Sequence, residues 1–294
     1  MNENRPVRYK TIHLDVGYKC NNNCVFCYES DTSEGFSYKK KSLDEIKEQL
    51  EKAALEYDMV IFLGAEPTLR SDFVDILKFA KDLGFKRLSF STNGRQFKDP
   101  EFAKQVAESG VSCVAVSLVG GTAETHDAQT RSPGSFNELV AGLKNILPYQ
   151  NDSFVISVSF TMNRMNYAEM GIVIDLLSEL GVKEVSFRNT GPLSGRTFGK
   201  EELIMKMSDM SAYICDVMEK KGLLGESAPP FQFFLQEFLP CSLPVGARQH
   251  IFPNKVTGEN KYMRMALCEN CVYTECPGVL RTYADIYGTE EFKF

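Results

Sequence analysis

Nine cysteines carry most of the chemical information in this 294-residue chain. Cys20, Cys24 and Cys27 form one tight group and Cys268, Cys271 and Cys276 a second, while Cys113, Cys215 and Cys241 are scattered. The number is odd, and Met1-Asn2-Glu3-Asn4-Arg5 does not open the apolar core of a signal peptide. A disulfide framework is therefore unexpected, and metal ligation is the better reading. In Cys20-Asn21-Asn22-Asn23-Cys24-Val25-Phe26-Cys27 the spacing lets three thiolates converge on one face of a compact loop. Three thiolates would leave one iron of a four-iron cluster open to a non-protein ligand. Zinc is the alternative on spacing alone, although zinc sites usually show paired or four-ligand patterns.

The elements that must position these thiols are legible in the apolar pattern. Strands are expected at Thr11–Val16, Tyr57–Leu63, Arg87–Phe90, Ser112–Ser117, Phe154–Phe160 and Val182–Phe187. Amphipathic helices are expected between them at Leu43–Leu55, Phe73–Leu83, Glu101–Glu108, Phe136–Leu147 and Tyr167–Leu180. Ser42 with Glu45 reads as a capping box, and Gly84, Gly110 and Gly181 as helix stops. Six strands alternating with helices imply an α/β fold with a parallel sheet, open or barrel-like. From Asn189 the pattern changes. Gly191-Pro192-Leu193-Ser194-Gly195 reads as a linker, a helix is expected over Glu201–Lys220, and Ala228-Pro229-Pro230 leads into Phe231–Phe238. Two parts follow, residues 1–195 and 196–294.

Composition excludes several function classes. The net charge of −6 argues against a general nucleic-acid binder, and the basic run Lys39-Lys40-Lys41 reads as a solvated loop. No apolar run approaches the roughly 18 residues that span a bilayer. A cytoplasmic protein with no membrane or nucleic-acid partner is expected.

Further motifs follow the strands in order. They are Gly64-Ala65-Glu66-Pro67 after the second, Ser91-Thr92-Asn93-Gly94 after the third, and Ser117 with His126-Asp127, Arg131 and Gly134-Ser135-Phe136 after the fourth. In a parallel barrel these strand ends open on one face, where active sites form. With the three-cysteine loop, the set resembles the radical S-adenosylmethionine (SAM) superfamily over about residues 10–195. The resemblance implies a partial (β/α)6 TIM-like barrel. It also implies one [4Fe–4S] cluster on Cys20, Cys24 and Cys27 whose open iron is chelated by SAM. Reductive SAM cleavage would then give a 5′-deoxyadenosyl radical that abstracts a hydrogen from substrate.

By residue-level match, the resemblance implies that the backbone of Gly64, Ala65, Glu66 and Pro67 contacts the SAM amino group. Arg131 would pair with the SAM carboxylate, which suits a bidentate guanidinium. Ser117 and Asn93 become candidates for ribose or methionine contacts, and Phe26 and Met162 for flanking adenine. Each has an ordinary structural reading: Asn93-Gly94 is a good turn in any protein, Ser117 ends a strand, and Met162 suits core filling. His126 and Asp127 are expected to cap the following turn. Ala65 departs from the glycine usual in the family, and an alanine there resists positive φ.

The C-terminal cysteines Cys268, Cys271 and Cys276, with Cys241 as a fourth, admit a structural zinc site. The tail with Cys276-Pro277-Gly278, Tyr283 and Tyr287-Gly288 resembles extensions of the SPASM and Twitch type. Such a Twitch/SPASM-like extension implies an auxiliary [4Fe–4S] cluster. Cys113 and Cys215 read as core residues.

Relatives with such extensions mostly modify ribosomally made peptides by crosslinking, epimerisation or oxidation. Others, such as the molybdenum-cofactor cyclase, act on small molecules and typically end in a glycine-rich tail, unlike Glu291-Phe292-Lys293-Phe294. No extra N-terminal leader-binding domain is expected, since the first strand begins by Thr11. A maturase of a peptide or natural-product precursor, of oxidoreductase or maturase type, is the expectation, served by an external one-electron donor such as flavodoxin or ferredoxin. The alternatives are a small-molecule enzyme resembling the cyclase, and a non-catalytic iron–sulfur or zinc protein in electron transfer or sensing.

Overall fold

The computed structural model describes residues 9–27, 39–191, 202–224, 231–251, 261–274 and 276–292. The expected linker beyond Gly191, the helix start at Glu201 and the Ala228-Pro229-Pro230 turn lie outside the described residues. Strands and helices alternate as β1 (Thr11–Asp15), α1 (Leu43–Ala54), β2 (Met59–Leu63), α2 (Phe73–Asp82), β3 (Arg87–Thr92), α3 (Pro100–Ala107) and β4 (Cys113–Leu118). The alternation continues with α4 (Ala123–Thr130), α5 (Ser135–Ile146), β5 (Val155–Met162), α6 (Met170–Glu179), β6 (Glu184–Asn189), α7 (Met207–Lys220) and β7 (Gln232–Gln236). The seven strands form one sheet in sequence order, so β1 and β7 are edges and the sheet is open. Every pair in it whose register is described is parallel.

The six expected strands are thus joined by a seventh, which comes from the segment read as part of the C-terminal appendage. Its pattern is that of a strand with one buried face: Phe233 and Leu235 are buried and Gln232 is exposed. Helix α4 was not expected. Its sequence, Ala-Glu-Thr-His-Asp-Ala-Gln-Thr, has no large aliphatic side chain to mark an apolar stripe.

The described residues divide into two compact units. The first takes its residues from 1–21, 36–116 and 137–156. The expected capping box closes α1, with Glu45 N donating to Ser42 Oγ at 3.2 Å and Ser42 N to Glu45 Oε2 at 2.6 Å. Parallel register sets Leu14, Phe62, Phe90 and Val114 in one cross-strand row, and all four are buried. Phe73 of α2 packs edge-on to Phe62 and Phe90, with ring centroids 6.2 and 5.0 Å away. Each such fully buried side chain contributes about 1.5–3 kcal/mol.

The second unit takes its residues from 22–35, 117–136 and 157–294. There the buried row is Phe160, Phe187 and Leu235. A small separate core holds Met207, Leu239, Val279, Leu280, Tyr283 and Phe292. The short α8 (Val245–Arg248) precedes the two-stranded pair β8 (Tyr262–Met263) and β9 (Val279–Leu280), and the core is built on that pair with the start of α7 and with α9 (Arg281–Tyr287). Helix α7 receives no side-chain bond from its own N-cap, Lys206. Its first amides are satisfied from far along the chain: Met207 N donates to the Tyr283 hydroxyl at 2.6 Å and Ser208 N to Glu291 Oε2 at 2.8 Å. No described helix is long and apolar enough to cross a membrane.

Candidate functional site

In the first unit the loops after β1, β2 and β3 are knitted together at their backbones. Val16 N and Gly17 N both donate to Leu63 O, at 2.9 and 3.1 Å, and Glu66 N donates to Lys19 O at 3.0 Å. Gly17 and Gly64 touch so closely that a Cβ on Gly17 would lie 2.2 Å from Gly64 O. Gly64 has φ +90 and Ala65 φ +21, so the position where the family usually carries glycine does take a positive φ.

Glu66 is only 1% exposed. Its Oε1 accepts from Thr68 N at 3.1 Å, Thr68 Oγ1 at 2.6 Å and Thr92 Oγ1 at 2.7 Å, and its Oε2 accepts from Asn93 N at 2.7 Å. Burial pushes the carboxyl up from the usual range, while these donors pull it down. Glu66 therefore fastens the loop after β2 to the loop after β3. Asn93 reaches on to the cysteine loop: its Nδ2 donates to Asn21 Oδ1 at 2.7 Å and lies 3.8 Å from Cys20 Sγ. Arg95 bonds Asn21 O and pairs with Glu138 Oε2 at 2.6 Å.

Arg70, not singled out from the sequence, is buried behind these loops. It makes two 2.8 Å bonds to Asp72 and donates to Lys41 O at 3.0 Å and Val16 O at 3.3 Å. The last contact clamps the end of β1, four residues before Cys20.

In the second unit Cys24 and Cys27 bracket a turn in which Cys27 N donates to Cys24 O at 3.3 Å. Asn23 N donates to Thr130 O at 2.8 Å and Val25 N to Gln129 O at 2.9 Å, so the turn is fixed to the last residues of α4. The next residue, Arg131, ends that helix in a left-handed conformation, φ +51, with its N–H on Asp127 O. Its side chain is exposed, and no ion pair engages it among the described residues. Asp127 accepts from Gly134 N at 2.6 Å, Ser135 Oγ at 2.8 Å and Phe136 N at 2.9 Å, which is the expected cap of the following turn. His126 is buried edge-on to Phe136 at 5.6 Å.

Three further buried amides were missed from the sequence. Gln129 donates to Val119 O and accepts from Asn163 Nδ2 at 2.6 Å. Asn166 donates to Val119 O at 2.9 Å and Thr161 O at 2.7 Å. Together they join the end of α4 to the segments leaving β4 and β5. Asn163 and Asn166, three positions apart just past a strand, were the available signal. Of the remaining candidates, Ser117 is exposed near the end of β4 and Phe26 is half-buried in the cysteine turn. Met162 is fully buried in the β5 row that carries Phe160.

The four C-terminal cysteines Cys241, Cys268, Cys271 and Cys276 line one small pocket with Arg264 and Tyr273. Burial, then the neighbouring thiols of Cys276, Cys268 and Cys271, push the Cys241 thiol up to about 11. Burial likewise raises Cys276. Tyr273 N donates to Cys271 Sγ at 3.4 Å, and Arg264 Nη2 donates to Thr274 O at 2.9 Å and Cys276 O at 3.2 Å. No three His, Cys, Asp or Glu side chains among the described residues are gathered as a single metal ion requires. Cys113 and Cys215 are half-buried and stand apart in sequence from both groups.

An open parallel β/α sheet with three cysteines in the loop after its first strand defines an α/β scaffold of the partial-barrel class. Residues 14–186 match the family model of the radical SAM superfamily, and the chain belongs to that superfamily. It is 32% identical over 179 residues to Fe-coproporphyrin III synthase of Methanosarcina barkeri, covering 58% of this chain and 41% of that protein. It is 29% identical over 219 residues to a probable GTP 3′,8-cyclase of Saccharolobus islandicus, covering 74% of this chain and 66% of that one. The chain spans about half or less of the length of several curated relatives that it matches.

Among solved structures, SuiB of Streptococcus suis bound to its precursor peptide SuiA aligns with TM-score 0.61 at 16% identity, covering 76% of this chain and 48% of that chain. AnSMEcpe with bound AdoMet aligns with TM-score 0.60 at 19% identity, covering 72% and 58%. These two likenesses are of fold. Membership of the superfamily implies an enzyme that uses SAM and a SAM-binding [4Fe–4S] cluster.

Proposed function

We propose that this chain cleaves SAM reductively at a [4Fe–4S] cluster held by Cys20, Cys24 and Cys27, and that it matures a peptide or natural-product precursor. The observation that carries the SAM reading is the backbone attachment of the Cys24–Cys27 turn to Gln129 and Thr130, directly before an exposed Arg131 in a left-handed conformation. Such a conformation costs an arginine free energy and is often kept at a functional position. Bound together, the cluster and SAM supply a 5′-deoxyadenosyl radical that takes a hydrogen atom from the substrate.

The chain's own residues do the rest. Cys20, Cys24 and Cys27 ligate as thiolates, and Asn93 orients Cys20 through its amide. Arg131 receives the SAM carboxylate as a fork. Gly64, Ala65 and Pro67 offer backbone to the amino group, and Glu66 holds that backbone rather than the ligand. Ser117 and Phe26 remain candidates for ribose and adenine. Met162 would serve them from behind, as packing.

The four C-terminal thiols ring a pocket rather than one point, which suits an auxiliary [4Fe–4S] cluster with its ligands on separate irons. In this reading residues 1–195 bind SAM, and residues 196–294 form a Twitch/SPASM-like region that also lends β7 to the sheet. A flavodoxin- or ferredoxin-type donor in the cytoplasm would reduce the clusters. A second reading, hydrogen abstraction from a small molecule, is favoured by the alignment to the GTP cyclase, which extends beyond the range of the family model.

The test is anaerobic reconstitution followed by measurement of iron, sulfide and 5′-deoxyadenosine under reduction. Wild type should yield deoxyadenosine, and the triple variant Cys20→Ala, Cys24→Ala, Cys27→Ala none. Undiminished SAM cleavage in the triple variant removes the reading.

A further inference from the structure

On the sheet face opposite the Phe160–Phe187 contact, β5, β6 and β7 set two registered rows of side chains. Ser159, Ser186 and Phe234 form one row, and Thr161, Arg188 and Gln236 form the next toward the strands' C-terminal ends. The buried face is wholly apolar at Val158, Phe160, Val185, Phe187 and Leu235, so this polar face is the one left for a ligand.

Arg188 is exposed, between a half-buried Thr161 and a half-buried Gln236. Gln236 Oε1 accepts from Arg188 Nε at 3.0 Å and from Nη2 at 2.7 Å. No other hydrogen bond or ion pair engages the guanidinium among the described residues. Gln236 is neutral, so it orients the guanidinium without cancelling its charge, and the Nη1 edge stays free. Glu184, the acid on the same face of β6, lies four residues back, about 13 Å along an extended strand. Glu237, next after Gln236, has φ +61 and lines a pocket of the C-terminal region instead.

A second observation points the same way. Ser186 Oγ and Thr190 Oγ1 are buried and make no hydrogen bond among the described residues. Ser186 stands in the row directly behind Arg188. Buried hydroxyls without a partner are rare and call for a ligand or a trapped water.

We propose that Arg188, oriented by Gln236, recognises an oxyanion of the substrate, with the hydroxyls of Ser159, Thr161 and Ser186 as its neutral neighbours. A planar guanidinium with one edge free takes a carboxylate or phosphate through paired N–H bonds. It lies at the C-terminal ends of parallel strands, where β/α enzymes bind their substrates. The inference deepens the reading of the chain as a radical SAM enzyme and rests on it, because it assigns the charged end of that enzyme's substrate.

The probes are glutarate, a dicarboxylate, and inorganic pyrophosphate, added at constant ionic strength to the full, anaerobically reconstituted chain. Arginine Nε–H signals are followed by 15N NMR, with Arg188 assigned by its loss in Arg188→Lys. The Arg188 signal should shift saturably with one of the two anions, and which one separates a carboxylate-bearing from a phosphate-bearing substrate. By calorimetry, Arg188→Lys should weaken that binding about tenfold or more, as losing a charged hydrogen-bond fork implies. Gln236→Leu should weaken it severalfold, and the surface control Lys220→Gln should leave it unchanged. If Arg188 moves no more than the other arginines with either anion, or if Arg188→Lys binds as tightly as wild type, the assignment is wrong. Deoxyadenosine formation is measured on the same samples. Its absence alongside saturable anion binding removes the SAM reading and not the anion site, and the converse result removes only the anion site.

Discussion

The carboxylate of Glu66 accepts a 2.7 Å hydrogen bond from the backbone N–H of Asn93, 27 residues further along the chain. The contact joins the ends of two neighbouring parallel strands through a side chain with almost no access to water. Asn93 in turn donates to Asn21 and approaches Cys20, so the order of the first cysteine depends on a carboxylate two loops away. The side chain of this motif glutamate is engaged by protein donors on both oxygens, which leaves its backbone as the part that the resemblance directs to SAM.

Glu66→Gln should therefore lower stability by about 1–3 kcal/mol, because the amide would set an N–H against Thr68 N or Asn93 N. Glu66→Ala should cost more, since it leaves both amides unpaired. Chemical denaturation of the unreconstituted protein gives the comparison. A neutral effect of both changes would mean that the loops hold each other without it.

Tyr283→Phe removes the hydroxyl that accepts from Met207 N and donates to Glu291 Oε1 at 2.5 Å. The expected loss is about 1–3 kcal/mol, with early hydrogen exchange at the first turn of α7. Unchanged protection of Met207 and Ser208 would show that the helix start needs no cap from the C-terminal region.

Arg131→Ala should weaken SAM binding by about 2–4 kcal/mol while the iron content stays at the wild-type level. Titration calorimetry on anaerobic protein decides it. Equal affinity would make Arg131 a helix terminus and nothing more.

Acid sensitivity has an assigned source. Burial alone would raise the Asp127 carboxyl, but hydrogen bonds from Phe136 N, Gly134 N and Ser135 Oγ outweigh it and hold the group below the ordinary aspartate value of 3.8. Asp72 is held below the same value, where burial is outweighed by the Arg70 guanidinium. The folded values are the lower ones, so this stability is present in full above 3.8 and is lost as pH falls through them. Asp127→Asn should be less stable than wild type at neutral pH, with the gap closing below about pH 4. Denaturant midpoints across that range provide the check, and a gap independent of pH would rule out the charged cap.

Replacing Cys268, Cys271 and Cys276 by Ala should take the anaerobic protein from about eight irons per chain to about four, the content of one cubane rather than two. SAM cleavage should persist while product formation is uncoupled from it. Zinc in place of the second set of irons in wild type would refute the auxiliary cluster.

The local periodicities of the sequence determined most of the elements. Apolar runs bounded by Gly and Pro located β1 through β6, Ser42 and Glu45 located the start of α1, and the cysteine spacings located both thiol groups. These are short-range facts, set by residues within a few positions of one another. What the tertiary structure decided depends on partners far apart in sequence. Glu66 was legible as a motif residue but not as a strut, because Thr92 and Asn93 stand on another strand. Helix α4 was illegible because its buried face is polar, satisfied by Val119 O and Asn163 across the fold. Strand β7 and the cap of α7 by Tyr283 and Glu291 needed the sheet edge and the C-terminal core to exist first. The Arg188–Gln236 pair belongs with them: two residues 48 positions apart become neighbours only when parallel register sets β6 beside β7.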